Sequence, residues 1–227
     1  MRNKIFIALA LISGTLLIWD LYKIFMTVPD EANQGAIFRI IYFHVPSIFT
    51  GFTGFFVALI ASSMYLVKGD LRYDSVAASV TEVSLAFASV VLATGMIWAR
   101  IIWGVWWAWD ARLTTMLMCW LTYAGYLMLR RAIPEPTQRA RLSAVVSIFG
   151  FVEVIIVYKS IDWFRTQHPG PVLTIRDGGG MAPGMESPIY WNYLALLCLA
   201  AILTMVRMRQ EDVAREIDSL RRTAHAY

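Results

Sequence analysis

The sequence has 227 residues, of which 58% are hydrophobic, with 20 Lys and Arg against 16 Asp and Glu for a net charge of +4. Its mean hydropathy of +0.57 excludes an ordinary soluble domain. Alternating apolar strands of the membrane-barrel kind are absent, so the expected fold is all-α, a single polytopic membrane domain over 1–227 with no soluble second domain.

Six apolar runs are expected to be long and apolar enough to cross a bilayer core, which takes roughly 20 residues of helix. They lie near 5–22, 45–67, 76–99, 113–129, 143–161 and 189–206. The first, with Arg2 and Lys4 ahead of it, imitates a signal peptide. It is long for that role, and its removal would leave an odd number of spans, so an uncleaved first helix is expected. Between the runs, the predicted outer loops are 23–44, 100–112 and 162–188, while the inner connections are short and charged. The tail 207–227 reads as a charged, solvated helical extension. With both termini cytoplasmic, thirteen of the twenty Lys and Arg residues lie inside, as the positive-inside rule prefers. The net charge is therefore a topology signal and not a nucleic-acid patch. On this topology only Trp120 lies away from the outer half. Cys119 and Cys198 fall inside spans and read as packing residues. Without a C-x-x-C-H motif the chain has no attachment site for a covalent c-type haem.

Each outer loop contains something unusual. The first ends in Arg39-Ile-Ile-Tyr42-Phe43-His44-Val45-Pro46. The second contains Trp103-Gly104-Val105-Trp106-Trp107-Ala108-Trp109, followed at once by Asp110 and Arg112. Four of the nine tryptophans within seven positions exceed what interfacial anchoring needs, whereas Trp19, Trp98 and Trp191 fit anchors. The third loop starts Asp162-Trp163-Phe164-Arg165-Thr166-Gln167-His168-Pro169-Gly170 and continues through the Asp177–Gly180 stretch, flexible by composition.

Of three histidines, His44 and His168 lie in these loops and His225 in the polar tail. Two neutral imidazoles can hold a haem iron from opposite faces, and indole rings can pack on a porphyrin. Guanidinium groups suit propionates, with Arg39 and Arg112 as candidates and Arg100 as a weaker third. Asp110 would sit badly against a propionate; it is expected to pair with Arg112 or to cap the fourth helix. Glu153, in the fifth span without an obvious partner at helical spacing, is an intramembrane ionisable group expected to bond to a neighbouring helix or a partner subunit.

The run Trp103 through Asp110, Arg112, Leu113 and Thr114 resembles the tryptophan-rich WWD signature of the haem-handling proteins of cytochrome c maturation. Six spans, a short chain and outer histidines flanking the motif narrow the resemblance to the CcmC (haem exporter protein C) family. The segments Arg39–Pro46 and Trp163–His168 also resemble that family. The resemblance implies a non-covalent, b-type haem on the periplasmic face of the bacterial inner membrane. His44 and His168 would be its axial ligands, and Trp103, Gly104, Trp106, Trp107, Trp109 and Asp110 its platform. It further implies delivery to the haem chaperone CcmE, beside the ABC-transporter subunits CcmA and CcmB, the small membrane protein CcmD and membrane lipid. The expected activity is haem transfer and not enzymatic catalysis, since the chain has no G-x-x-x-x-G-K-S/T nucleotide motif. The competing readings are a haem-conducting permease subunit and a b-type electron-transfer cytochrome. The latter buries paired histidines mid-span, where neither His44 nor His168 is predicted.

Overall fold

A computed structural model describes residues 2–170, 181 and 184–224. Arg176, the Asp177–Gly180 stretch and His225 lie outside the described residues. The described chain forms six α-helices: α1 (Arg2–Tyr22), α2 (Ile41–Lys68), α3 (Leu71–Ile102), α4 (Ala111–Ala132), α5 (Pro136–Trp163) and α6 (Ser187–Ala224). Among the described residues the only β pairing is an isolated bridge between Glu31 and Gly35. Five helices are long and apolar enough to cross a membrane; α4 is not among them. Its 22 residues span about 33 Å at 1.5 Å each. What it lacks is apolar content, since threonines, tyrosines and the terminal Arg130 and Arg131 interrupt its aliphatic residues.

Local chemistry sets the helix ends. Asp70 caps α3 by accepting from the Arg72 amide at 2.8 Å, and Glu135 with Pro136 starts α5. Gly69, with φ of 69°, closes α2 in the left-handed conformation. At the start of α2 the predicted boundary shifts. Pro46 lacks an N–H, which would leave the Tyr42 carbonyl unpaired in a helix. Asn192 of α6 donates its side-chain amide to that carbonyl, so α2 begins at Ile41 with Pro46 buried inside it. His44 thus sits in the first turn of a helix and not in the loop predicted for it.

α2 is the central element, packed chiefly on α3 and also on α5 and α6; α4 lies on α5, and α1 lies on α6. Gly51 and Gly54 let α2 approach α3 closely: a Cβ at Gly51 would meet the Ser84 carbonyl oxygen at 3.4 Å. The core joins Phe55, Leu85, Val91, Met116, Cys119, Tyr123 and Val157, with Phe55 and Tyr123 stacked at 3.7 Å. Cys119 is fully buried there, as expected of a packing residue. A Cβ at Gly150 would stand 3.0 Å from the Tyr123 ring, which Phe55 holds from another side. Gly150→Ala should therefore cost about 1–3 kcal/mol through overpacking. The check is a lowered thermal midpoint in detergent; an unchanged midpoint would show that the ring gives way freely.

The tail is helical through Ala224, but it is not merely solvated. Arg207 pairs with Glu82 at 2.6 Å, and Arg215 reaches Asp74 at 3.4 Å and the Leu71 carbonyl at 3.1 Å. Glu153 accepts from the Thr122 hydroxyl of α4 at 3.1 Å, the neighbouring-helix bond expected of it.

Candidate functional site

The loops preceding α2 and α4 and the described residues that follow α5 meet at one end of the bundle, here called the tryptophan end. A pocket opens there and encloses about 1430 Å³ of empty space, its open mouth included. Its apolar wall comes from α2, α3 and α4, with Ile48, Phe52, Leu92 and Met116 among the contributors. Its few polar groups are those the sequence singled out: His44, His168 and Arg112, joined by Gln34 and Tyr158. An apolar cavity with a few convergent polar groups is the usual form of a ligand site.

His44 projects from the first turn of α2 into a seat made by α3. Its Nδ1 lies 2.8 Å from the Thr94 hydroxyl oxygen, its ring meets the edge of Trp98 with centroids 6.0 Å apart, and Gly95 passes beneath it. Trp98 is fixed in turn, donating its indole N–H to Gln34 at 2.8 Å and packing on Phe38. Trp98, expected as an interfacial anchor, is therefore a wall of the histidine seat. Nothing in the linear pattern marked Thr94 or Gly95; only the packing of α2 on α3 brings them to His44.

His168 approaches from the loop after α5. Its Nδ1 lies 2.8 Å from the Pro169 carbonyl oxygen. A carbonyl can only accept, so Nδ1 carries the proton and Nε2 keeps its lone pair. Burial pushes the His168 pKa down, as does the Arg112 guanidinium, while the Pro169 carbonyl and Asp110 pull it up; the net direction is downward. A depressed pKa keeps the imidazole neutral, the form in which it can bind a metal.

Asp110 ties this loop to α4. One carboxylate oxygen accepts from the Arg112 amide at 2.9 Å, capping the helix as expected. The same oxygen accepts from the Thr166 hydroxyl at 2.7 Å, and the other accepts from the Gln167 amide at 2.7 Å. The Thr166 hydroxyl oxygen also receives the His168 amide N–H at 3.0 Å. Burial alone would raise the Asp110 pKa, but these hydrogen bonds outweigh it and hold the carboxyl below its usual range. The expected Asp110–Arg112 link is thus made to the Arg112 backbone. The Arg112 guanidinium instead donates to the Val157 carbonyl.

The tryptophan run is not one flat platform. Gly104, with φ of 76°, turns the chain, and Arg100 braces its carbonyl. Trp103 and Trp107 face the pocket. Trp106 and Trp109 are 60% and 79% exposed and line no part of it. Trp109 instead meets Trp107 edge-on at 5.9 Å and borders a second hollow with Asp110, Arg165, Thr166 and Gln167. The Trp107 indole N–H is buried with no partner, an orphan donor on the pocket wall. Nor does the structure bring Arg39 to the pocket. Its guanidinium donates to the Ile24 and Val28 carbonyls at 2.9 and 3.0 Å and pairs with Asp30, bracing the first loop.

The family described as CcmC, Heme exporter protein C, matches residues 1–223. Proteins named Heme exporter protein C are similar over most of the chain. That of Bradyrhizobium diazoefficiens is 34% identical over 193 residues, covering 85% of this chain and 73% of its own length. That of Escherichia coli K12 is 32% identical over 181 residues, covering 80% and 73%, and that of Paracoccus denitrificans is 30% identical over 205 residues, covering 90% and 83%. With five helices fit to cross a bilayer, the chain is a multi-pass membrane protein, and it belongs to the haem exporter protein C family.

Proposed function

We propose that the chain binds haem as cargo in the pocket at the tryptophan end and hands it to the chaperone CcmE during c-type cytochrome biogenesis. The observation that carries this reading is the convergence of His44 and His168, from separate elements, on one apolar pocket. The residues present fit the macrocycle. The wall is apolar where a porphyrin is apolar, Trp103 and Trp107 supply aromatic faces, and Arg112 supplies a cation for a propionate. The unpartnered Trp107 N–H adds a buried donor that asks for an acceptor. His44 and His168, as neutral imidazoles, would hold the haem iron, and the haem would be retained without a covalent bond, as a b-type group.

Trp106, Trp109 and Gly104 then belong to the rim that a chaperone meets, and Arg39 supports the first loop. With α4 counted as a sixth crossing beside the five apolar helices and both termini cytoplasmic, as the Lys and Arg bias favours, the pocket opens on the periplasmic side of a bacterial inner membrane. There the chain works with CcmA, CcmB and CcmD as a transfer protein and not as an enzyme. A mouth shared among three loops suits release, because loop contacts open at lower cost than core contacts.

The test is the absorption spectrum of protein purified from cells lacking the chaperone, oxidised and then reduced. The wild type should carry low-spin, two-histidine haem, and the His44→Ala, His168→Ala double variant should lose that signature at equal protein level. Identical spectra from both proteins, or no haem in the wild type, would overturn the assignment.

A further inference from the structure

The partners of the His44 ring carry information beyond its place in the pocket. Thr94 lies in α3, and its hydroxyl is 2.7 Å from the Val90 carbonyl oxygen, one turn back, and 3.2 Å from that of Val91. A threonine hydroxyl has one proton; directed to the α3 carbonyl, as in the usual back-bonded threonine, it leaves the Thr94 oxygen to accept from His44, 2.8 Å away. The matching His44 tautomer carries its proton on Nδ1 and leaves Nε2 with a bare lone pair. Gly95 completes the arrangement: a Cβ there would stand 3.2 Å from Cε1 of His44, closer than the ring tolerates without moving.

We propose that Thr94 is the positioning residue of His44. It holds the imidazole in the Nδ1–H tautomer with Nε2 free, and Gly95 supplies the space in which that orientation fits. The relay runs from the α3 backbone carbonyl through one hydroxyl to one ring nitrogen. The inference rests on the reading of His44 as an iron ligand. His168 obtains the same tautomer from a backbone carbonyl, which no substitution at its own position removes. The His44 side is therefore where tautomer control can be tested by mutation.

Outer partners of this kind typically account for ten- to a hundredfold in metal affinity and raise the basicity of the ligating ring. Thr94→Val keeps the shape and deletes the acceptor; Thr94→Ser keeps the acceptor. In purified full-length protein reconstituted with haem, Thr94→Val should bind haem roughly ten- to a hundredfold more weakly. Its ferric electron paramagnetic resonance g-values should shift, and its reduction potential should rise as the ring loses donor strength. Thr94→Ser should restore all three. Gly95→Ala, which leaves the hydroxyl intact, should shift the g-values by moving the ring.

His44→Ala separates the two levels of the argument. If it leaves the haem spectrum unchanged, His44 is not a ligand and the site reading itself falls. If it abolishes low-spin haem while Thr94→Val matches the wild type in affinity, g-values and potential, the site stands and the positioning role of Thr94 is overturned.

Discussion

Replacing Asp74 with alanine should lower the thermal midpoint of the detergent-solubilised protein by on the order of ten degrees. Asp74 lies in the first turn of α3 and Arg130 in the last turn of α4. Their side chains are only 4% and 9% exposed, and the guanidinium engages both carboxylate oxygens, one of them at 2.9 Å. Arg215 of α6 approaches the same carboxylate at 3.4 Å, so one side chain joins three helices at the end opposite the pocket. Removing one member of a buried pair strands the other charge, which typically costs about 3–5 kcal/mol. Replacing both by apolar residues of similar volume is often nearly neutral. The Asp74→Leu, Arg130→Met double variant should therefore recover most of the midpoint lost by Asp74→Ala. A single variant as stable as the wild type would show that the pair contributes nothing. Bound haem per folded molecule should stay unchanged, because the pair and the pocket lie at opposite ends.

The helices were legible because apolar runs of membrane length have few other structures open to them. Asp110 was legible as a cap because a side chain just before an apolar run can reach the helix amide two residues on, a purely local relation. His44 and His168 could be picked out for their scarcity and their loop positions. Their convergence depends on how α2, α4 and the loop after α5 pack, and no spacing in the sequence encodes that. Distance along the chain explains the rest. Asn192 completes the helix around Pro46 from α6, so the sequence-based boundary fell after the true one. Thr94 and Gly95 acquire meaning only when α2 lies on α3, and Asp74 finds Arg130 across 56 positions. Arg39 shows the opposite error: its closeness in sequence to His44 suggested a shared site, yet it turns to the carbonyls of the first loop.

The largest functional effect outside the histidines is expected at Asp110. Asp110→Ala should weaken haem binding by tenfold or more and speed its dissociation, while the protein stays helical and membrane-inserted. Three amide or hydroxyl donors converge on this carboxylate, and hydrogen bonds to a charged group are worth about 1.5–3 kcal/mol each. Losing the helix cap alone costs about 1 kcal/mol. The bonds from Thr166 and Gln167 fix the turn that carries His168, and Thr166 also receives the His168 amide. Their loss lets that imidazole wander from the pocket. Every 1.4 kcal/mol diverted into reordering the loop on binding is a tenfold loss of affinity. Asp110→Asn divides the effect. Its remaining carbonyl can still accept from Arg112 or Thr166, but its amide cannot accept from Gln167, so the variant should fall between alanine and wild type. Stopped-flow transfer of haem to an excess of apomyoglobin reads the dissociation rate directly. Equal rates for wild type and Asp110→Ala would show that His168 keeps its place without this tie. A faster rate in Asp110→Ala, intermediate in Asp110→Asn, would show that the acidic residue of the tryptophan motif acts through the distant histidine and not on haem itself.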